Sequence, residues 1–166
     1  MNVKISRWKI HMVAVACIIT GCASQQERAE RRALQQHAVQ TAIDQRQLRI
    51  DITSMNTLRY GTKTVTPDFF LELRGDTLNS YLPYMGRAYQ APLSSPAQGL
   101  NFTQRVESLN VSTPKAHLTC FDIDVRTKED LYHYRIEVYD TGSALVRVRS
   151  ANRDPVSFDG RVDVNQ

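Results

Sequence analysis

From Leu48 onward the chain is built of runs in which apolar residues recur at every second position, and nothing else in it limits its fold so strongly. Leu48, Ile50 and Ile52 alternate with Arg49, Asp51 and Thr53, and Phe69, Leu71 and Leu73 follow the same rule. A period of two sends successive side chains to opposite faces, so each such run reads as a strand with one apolar face. Further runs cover Thr77–Leu82, Thr103–Val111, Leu118–Arg126, Leu131–Tyr139, Ser143–Arg149 and Val156–Val162. Turn-forming clusters divide them: Arg74-Gly75-Asp76, Thr127–Asp130, Asp140-Thr141-Gly142 and Asn152–Pro155. Connections this short join antiparallel neighbours only. The pattern predicts a mainly β fold, a curled antiparallel sheet of about seven to eight strands. It closes as a half-open barrel or a two-layer roll. Ala91–Leu100, with Pro92, Pro96 and Gly99, reads as the main long loop. Ahead of the strands, Leu34, Ala38, Val39, Ala42 and Ile43 recur at helical spacing. That stripe is narrow, so one N-terminal helix is expected to pack on one side only.

One hairpin can be registered from the sequence. A four-residue loop at Thr127–Asp130 sets Val125 opposite Tyr132 and Ile123 opposite Tyr134. The other face then pairs Asp124 with His133 and Asp122 with Arg135. Opposed charges of this kind contribute about 0.2–1 kcal/mol each. The expected core comprises Phe69, Leu71, Leu73, Phe121, Ile123, Val125, Tyr132, Tyr134, Ile136, Val138, Val146 and Val148.

The N-terminus has a different logic. Lys4, Arg7 and Lys9 precede a short apolar run, Met12 to Thr20. That run falls well short of the roughly 20 residues a transmembrane helix needs. Basic start and apolar middle have the layout of an export signal. It ends Ile19-Thr20-Gly21-Cys22, which resembles a lipoprotein lipobox. The resemblance implies cleavage before Cys22, acylation of its sulfur and usually of its new amino group. Two or three acyl chains, at about 0.8 kcal/mol per buried methylene, hold a domain on a bilayer durably. Residues 1–21 are then a signal peptide, 22–36 a lipidated N-terminus with a polar tether, and 37–166 the β domain. Lys4, Arg7 and Lys9 are three of the 21 basic residues, and none of the 17 acidic ones precedes Cys22. The remainder is close to neutral, which disfavours a nucleic-acid binder, since phosphate neutralisation needs clustered surplus cations. Cys17 leaves with the signal and Cys22 carries lipid, so Cys120 has no disulfide partner. The mature chain of 145 residues (166 less 21) must rely on apolar packing, for which it is long enough.

The segment Tyr81-Leu82-Pro83-Tyr84-Met85-Gly86-Arg87-Ala88-Tyr89 is the most unusual in the chain, holding three of its seven tyrosines. With Asp140-Thr141-Gly142-Ser143-Ala144, Ser150-Ala151-Asn152-Arg153, Gly99-Leu100-Asn101-Phe102 and Phe158-Asp159-Gly160, it resembles the DUF4251 domain of Bacteroidetes lipoproteins. The likeness spans about residues 38–162. Phe158 stands where the family pattern has Tyr, and Thr141 where Asn is common. The resemblance implies an envelope lipoprotein with a mainly β domain, and implies no activity.

Two readings of Tyr81–Tyr89 stand side by side. Tyr81, Tyr84, Arg87 and Tyr89 could form a binding site, because tyrosine rings stack on sugars while hydroxyls and a guanidinium direct polar contacts. The favoured reading is structural: Pro83 and Gly86 bend the backbone, and the same residues build a corner. A hydrolase built on Cys120, Asp124 and His133 is disfavoured. His133 faces residue 124, which at about 3.3 Å per residue lies roughly 13 Å along the strand from Cys120. A nucleophile and its base need about 3 Å. His117 and Cys120, three apart on a strand, face opposite sides, so no metal is expected, and without a phosphate loop or dinucleotide fingerprint no other cofactor is expected either. Arg74-Gly75-Asp76 resembles an integrin-binding tripeptide but is ordinary turn chemistry. Asp76-Thr77-Leu78 resembles the O-glycosylation sequence of Bacteroidetes envelope proteins, with Thr77 as acceptor. The reading is a non-catalytic binding or assembly module, lipid-anchored to the outer membrane, with an envelope protein, glycan or lipid as partner. A purely structural envelope protein is the alternative, and an uncharacterised hydrolase the third choice.

Overall fold

The computed structural model describes residues 7–89 and 99–164, with side chains from residue 25 onward. One helix, α1 (Arg7–Asp44), precedes ten strands. They are β1 (Gln47–Thr57), β2 (Gly61–Thr64), β3 (Phe70–Arg74), β4 (Thr77–Leu82), β5 (Leu100–Arg105), β6 (Ser108–Lys115), β7 (Leu118–Arg126), β8 (Leu131–Tyr139), β9 (Ser143–Ser150) and β10 (Val156–Val162). They form a 10-stranded sheet in the order β5-β4-β3-β1-β10-β9-β8-β7-β6, with β2 paired to β1. Every ladder is antiparallel.

The mainly β class with one helix is as expected, and the strand number is higher for two reasons. The run Thr103–Val111 is divided at Val106–Glu107: its first part pairs with β4, and its second with β7. Val106 N–H donates to Asp76 O at 2.8 Å and Glu107 N–H to Asp124 O at 2.8 Å, so neighbouring residues serve opposite edges of the sheet. Periodicity cannot reveal such a bend, because both halves are extended. The other addition, β2, is exposed along its whole length and so carries no alternation.

With its two edge strands joined by that bend, the sheet curls back on itself as a half-barrel. The seam is filled by rings. Phe102 stacks on Tyr132 at 5.6 Å and meets Tyr134 edge-on at 6.2 Å. Ser80 Oγ lies 3.1 Å from Tyr134 Oη and donates to Leu100 O at 2.7 Å, so this buried hydroxyl pair is satisfied. The curl requires close approach at Gly160, where a Cβ would stand 2.5 Å from Asp51 O, next to the register shift between Ile52 and Ser54.

The β7–β8 register matches the expected one at each named pair: Val125 with Tyr132, Ile123 with Tyr134, Asp124 with His133 and Asp122 with Arg135. The expected core residues are buried with the exception of Phe69. That residue precedes β3 and is half-buried; its carbonyl accepts from Ile52 N–H at 2.9 Å and its ring stacks on Tyr81. Leu78, Leu82, Leu100 and Phe158 add fully covered side chains. Thr77 opens β4 half-buried, and Arg74-Gly75-Asp76 forms the β3–β4 turn, with Asp76 paired to Arg105 at 2.7 Å.

The helix differs from its stripe. Val39 and Ile43 are buried, whereas Leu34 is 72% exposed. Among the described side chains, contact is confined to the last turns of α1, where Gln35 Nε2 donates to Thr141 O at 2.9 Å and Gln36 Nε2 to Asp140 Oδ2 at 3.1 Å. The segment 22–36, expected as a tether, lies within α1, and residues 25–34 are exposed. Ala, Gln, Glu and Arg are strong helix formers, and Arg31–Glu27 at 2.6 Å adds an i,i+4 pair. The long loop expected at Ala91–Leu100 falls almost wholly outside the described residues.

Candidate functional site

The Tyr81–Tyr89 segment leaves the sheet at Leu82, which is fully buried, because Pro83 lacks the N–H a ladder needs. The chain then crosses to the β9–β10 connection. Ala88 bridges Arg153, Tyr89 N–H donates to Asn152 O at 2.7 Å, and Asp154 N–H donates to Arg87 O at 3.1 Å.

Asp154 is the hub of this crossing. Its carboxylate accepts Tyr89 O–H at 2.5 Å and Arg87 N–H at 3.1 Å, with Arg59 Nε at 3.6 Å. Its carbonyl accepts Tyr84 O–H at 3.2 Å, a hydroxyl that also reaches Arg87 O at 2.9 Å. The Tyr89 hydrogen bond, then the Arg87 amide, hold the Asp154 carboxyl below the usual carboxylate range. The same bond pushes the Tyr89 hydroxyl up, and burial, reinforced by the Asp154 charge, does so for Tyr84. Gly86 permits the bend: a Cβ there would lie 2.5 Å from Tyr84 Oη and 3.2 Å from Asp154 Cβ. Beneath, Arg153 is only 9% exposed, held by Glu129 at 3.1 Å, with its guanidinium 5.2 Å from the Tyr84 ring centre.

The structure therefore gathers Tyr84, Arg87 and Tyr89 around Asp154 and leaves Tyr81 apart. Tyr81 sits on the outer face of β4, 41% exposed, with its ring 5.4 Å from Phe69 and 5.8 Å from Phe70. The Arg49 guanidinium lies 4.0 Å over Phe70. Two of the tyrosine hydroxyls are engaged internally, so chemically this is a clamp between β4 and the β9–β10 connection. The Arg87 side chain and the Tyr81 ring face outward. Sequence reasoning missed Asp154, Arg153, Arg59 and Glu129. Asn152–Pro155 reads as a turn, and Asn152-Arg153 also belongs to a stretch that resembles the family, but nothing local says that Asp154 receives a segment some 65 residues away.

The remaining candidates can be placed. His133 Nδ1 is in contact with the Asp124 carboxylate on the outer face. Their neighbours Asp122, Arg135, Glu137, Arg147 and Arg149 complete a cleft of about 510 Å³. Arg147 binds Glu137, and Arg135 lies 3.5 Å from both Asp122 and Glu137, so the charges largely neutralise one another. Cys120 is buried and free, and burial pushes its thiol up. It faces Glu137 across the ladder while His133 faces Asp124. His117 pairs with Asp140 at 2.6 Å. Among the described residues no three His, Cys, Asp or Glu side chains are placed to hold a metal ion. The Cys22 side chain lies outside the described residues.

Fold and clamp together define a small half-barrel β domain led by a helix. Residues 30–162 match the family described as domain of unknown function DUF4251, and the chain belongs to that family. Its fold is similar to the crystal structure of a DUF4251 family protein from Bacteroides eggerthii, with a TM-score of 0.58 and 15% identity. That likeness covers 78% of this chain and 87% of the other. No curated protein matches the chain.

Proposed function

We propose that this protein is an envelope lipoprotein, acylated at Cys22 and held on the outer membrane, whose β domain is a non-catalytic binding or assembly module. The observation that carries this reading is the run from Ile19-Thr20-Gly21-Cys22 through a polar helix into the domain. Residues 25–34 of that helix are exposed, and among its described side chains those of the last turns touch the sheet. At about 1.5 Å per residue, Cys22 to Val39 spans on the order of 25 Å. A lipid at Cys22 would thus carry the domain on a stalk, clear of the headgroups and open to a protein, glycan or lipid partner. Among the described residues no helix is long and apolar enough to cross a membrane.

Intact-mass spectrometry of the full-length gene product isolated from membranes tests this reading. The expected mass is that of residues 22–166 plus two or three acyl chains. A bare Cys22, or a leader still attached, overturns it.

The clamp favours a structural role for Tyr84 and Tyr89, which leaves Tyr81 and Arg87 as the contributors to a partner surface. Replacing Arg87 by Ala is expected to leave the melting temperature nearly unchanged. A fall of many degrees would assign Arg87 to the corner as well.

A further inference from the structure

The β6 strand ends the sheet path, and among the described residues nothing pairs with its outer edge. It is 8 residues long, and only Leu109 is half-buried; the others are exposed. A free edge presents a row of backbone donors and acceptors that template pairing with another chain. Pro114 and Lys115 guard the C-terminal end of this edge, whereas Ser108-Leu109-Asn110-Val111-Ser112-Thr113 carries no charge. Near its middle Val111 is 41% exposed, an apolar side chain beyond the edge of the core. The other end of the path differs: β5 is folded back at the seam, with Phe102 against Tyr132.

We infer that β6 is a self-association edge, along which two copies of this chain pair antiparallel about a two-fold axis at Val111. Two independent features select that register. With Val111 opposite its own copy, the apolar side chain meets itself at the centre of the contact. Beyond the ladder, the same two-fold brings Glu107 of each copy, at the bend, toward Lys115 of the other, past the register shift after Ser112. Lys115 has no carboxylate within 4.0 Å among the described residues, and Glu107, bonded to Arg126 at 2.7 Å, remains exposed. An apolar middle with opposed charges at both rims is the anatomy of a specific contact. A two-fold pairing uses the same edge of both partners, so it closes as a dimer and does not propagate into a fibre. Pro114 and the register shift between Ser112 and Lys115 confine the ladder to the middle of the strand. A single strand pair lies at the low end of interface sizes, so the dimer is weak and reversible. This inference does not depend on the lipid anchor.

Disulfide trapping in the full-length protein tests it. Val111→Cys sets the two sulfurs directly opposite, within the roughly 4.4–6.8 Å Cα separation a disulfide needs. Thr113→Cys sets them about 13 Å apart along the strand. Both sites are exposed, and the unsubstituted protein, which keeps Cys17, Cys22 and the buried Cys120, provides the background. Mild oxidation is expected to give a covalent dimer with Val111→Cys and background levels with Thr113→Cys. In the Val111→Cys protein, Lys115→Glu should lower the yield about fivefold while Lys115→Arg preserves it. Equal trapping at both positions, none at either, or a yield indifferent to Lys115→Glu overturns the inference.

Discussion

At the scale of single residues, Asp154 does more than any other side chain to shape the Tyr81–Tyr89 corner. It receives Tyr89, the Arg87 amide and Arg59, and its own backbone holds Tyr84 and Arg87. Because its carboxyl titrates below the unfolded value, its contribution is complete above the ordinary Asp pKa of about 3.9. It is lost as pH falls through the lower folded value. Asp154→Asn is therefore expected to lower the melting temperature by a constant amount between pH 7 and pH 5, a gap that closes in stronger acid. Thermal melts of both proteins across that range check this; a gap that widens in acid would contradict the assignment. Gly86→Ala should cost roughly 1–3 kcal/mol, since the new methyl meets a tyrosine held at its hydroxyl. Urea titration measures it.

At the scale of elements, the β7–β8 hairpin and the helix teach opposite lessons. The hairpin register was legible because both faces of both strands had to agree across a short loop. In the helix, Leu34 and Val39 carry the same periodic signal, yet the first is exposed and the second buried. Periodicity marks a face without marking where along its length that face meets a partner. Val39→Ala is accordingly expected to cost about 1–3 kcal/mol, and Leu34→Ala to stay within about 0.5 kcal/mol of zero. Chemical denaturation of the two variants separates them. The division into β5 and β6 was hidden for a related reason: a bent extended run keeps its alternation while changing neighbours.

At the scale of the whole molecule, closure rests on the aromatic seam. Tyr134 is buried, and its burial pushes the hydroxyl well above the ordinary tyrosine value; Tyr132 and Tyr84 shift the same way for the same leading reason. A raised tyrosine pKa favours the folded state fully below the unfolded value of about 10 and less and less above it. The domain should therefore lose stability steeply as pH climbs past about 10. Tyr134→Phe should soften that loss while lowering stability at neutral pH, because Ser80 loses a partner. Alkaline unfolding followed by circular dichroism decides between this and a seam indifferent to pH.

The order of amino acids was enough to determine strand faces, the main hairpin register, most of the core, and an N-terminus built unlike the rest. Each follows from interactions between residues close in sequence, or from a repeat that one strand displays alone. Only the folded chain decided that the two sheet edges meet at Val106–Glu107, that the helix docks by its last turns, and that Asp154 gathers Tyr84, Arg87 and Tyr89. Those contacts join positions far apart along the chain, and a side chain's local pattern carries no record of which distant partner the curl of the sheet will bring to it.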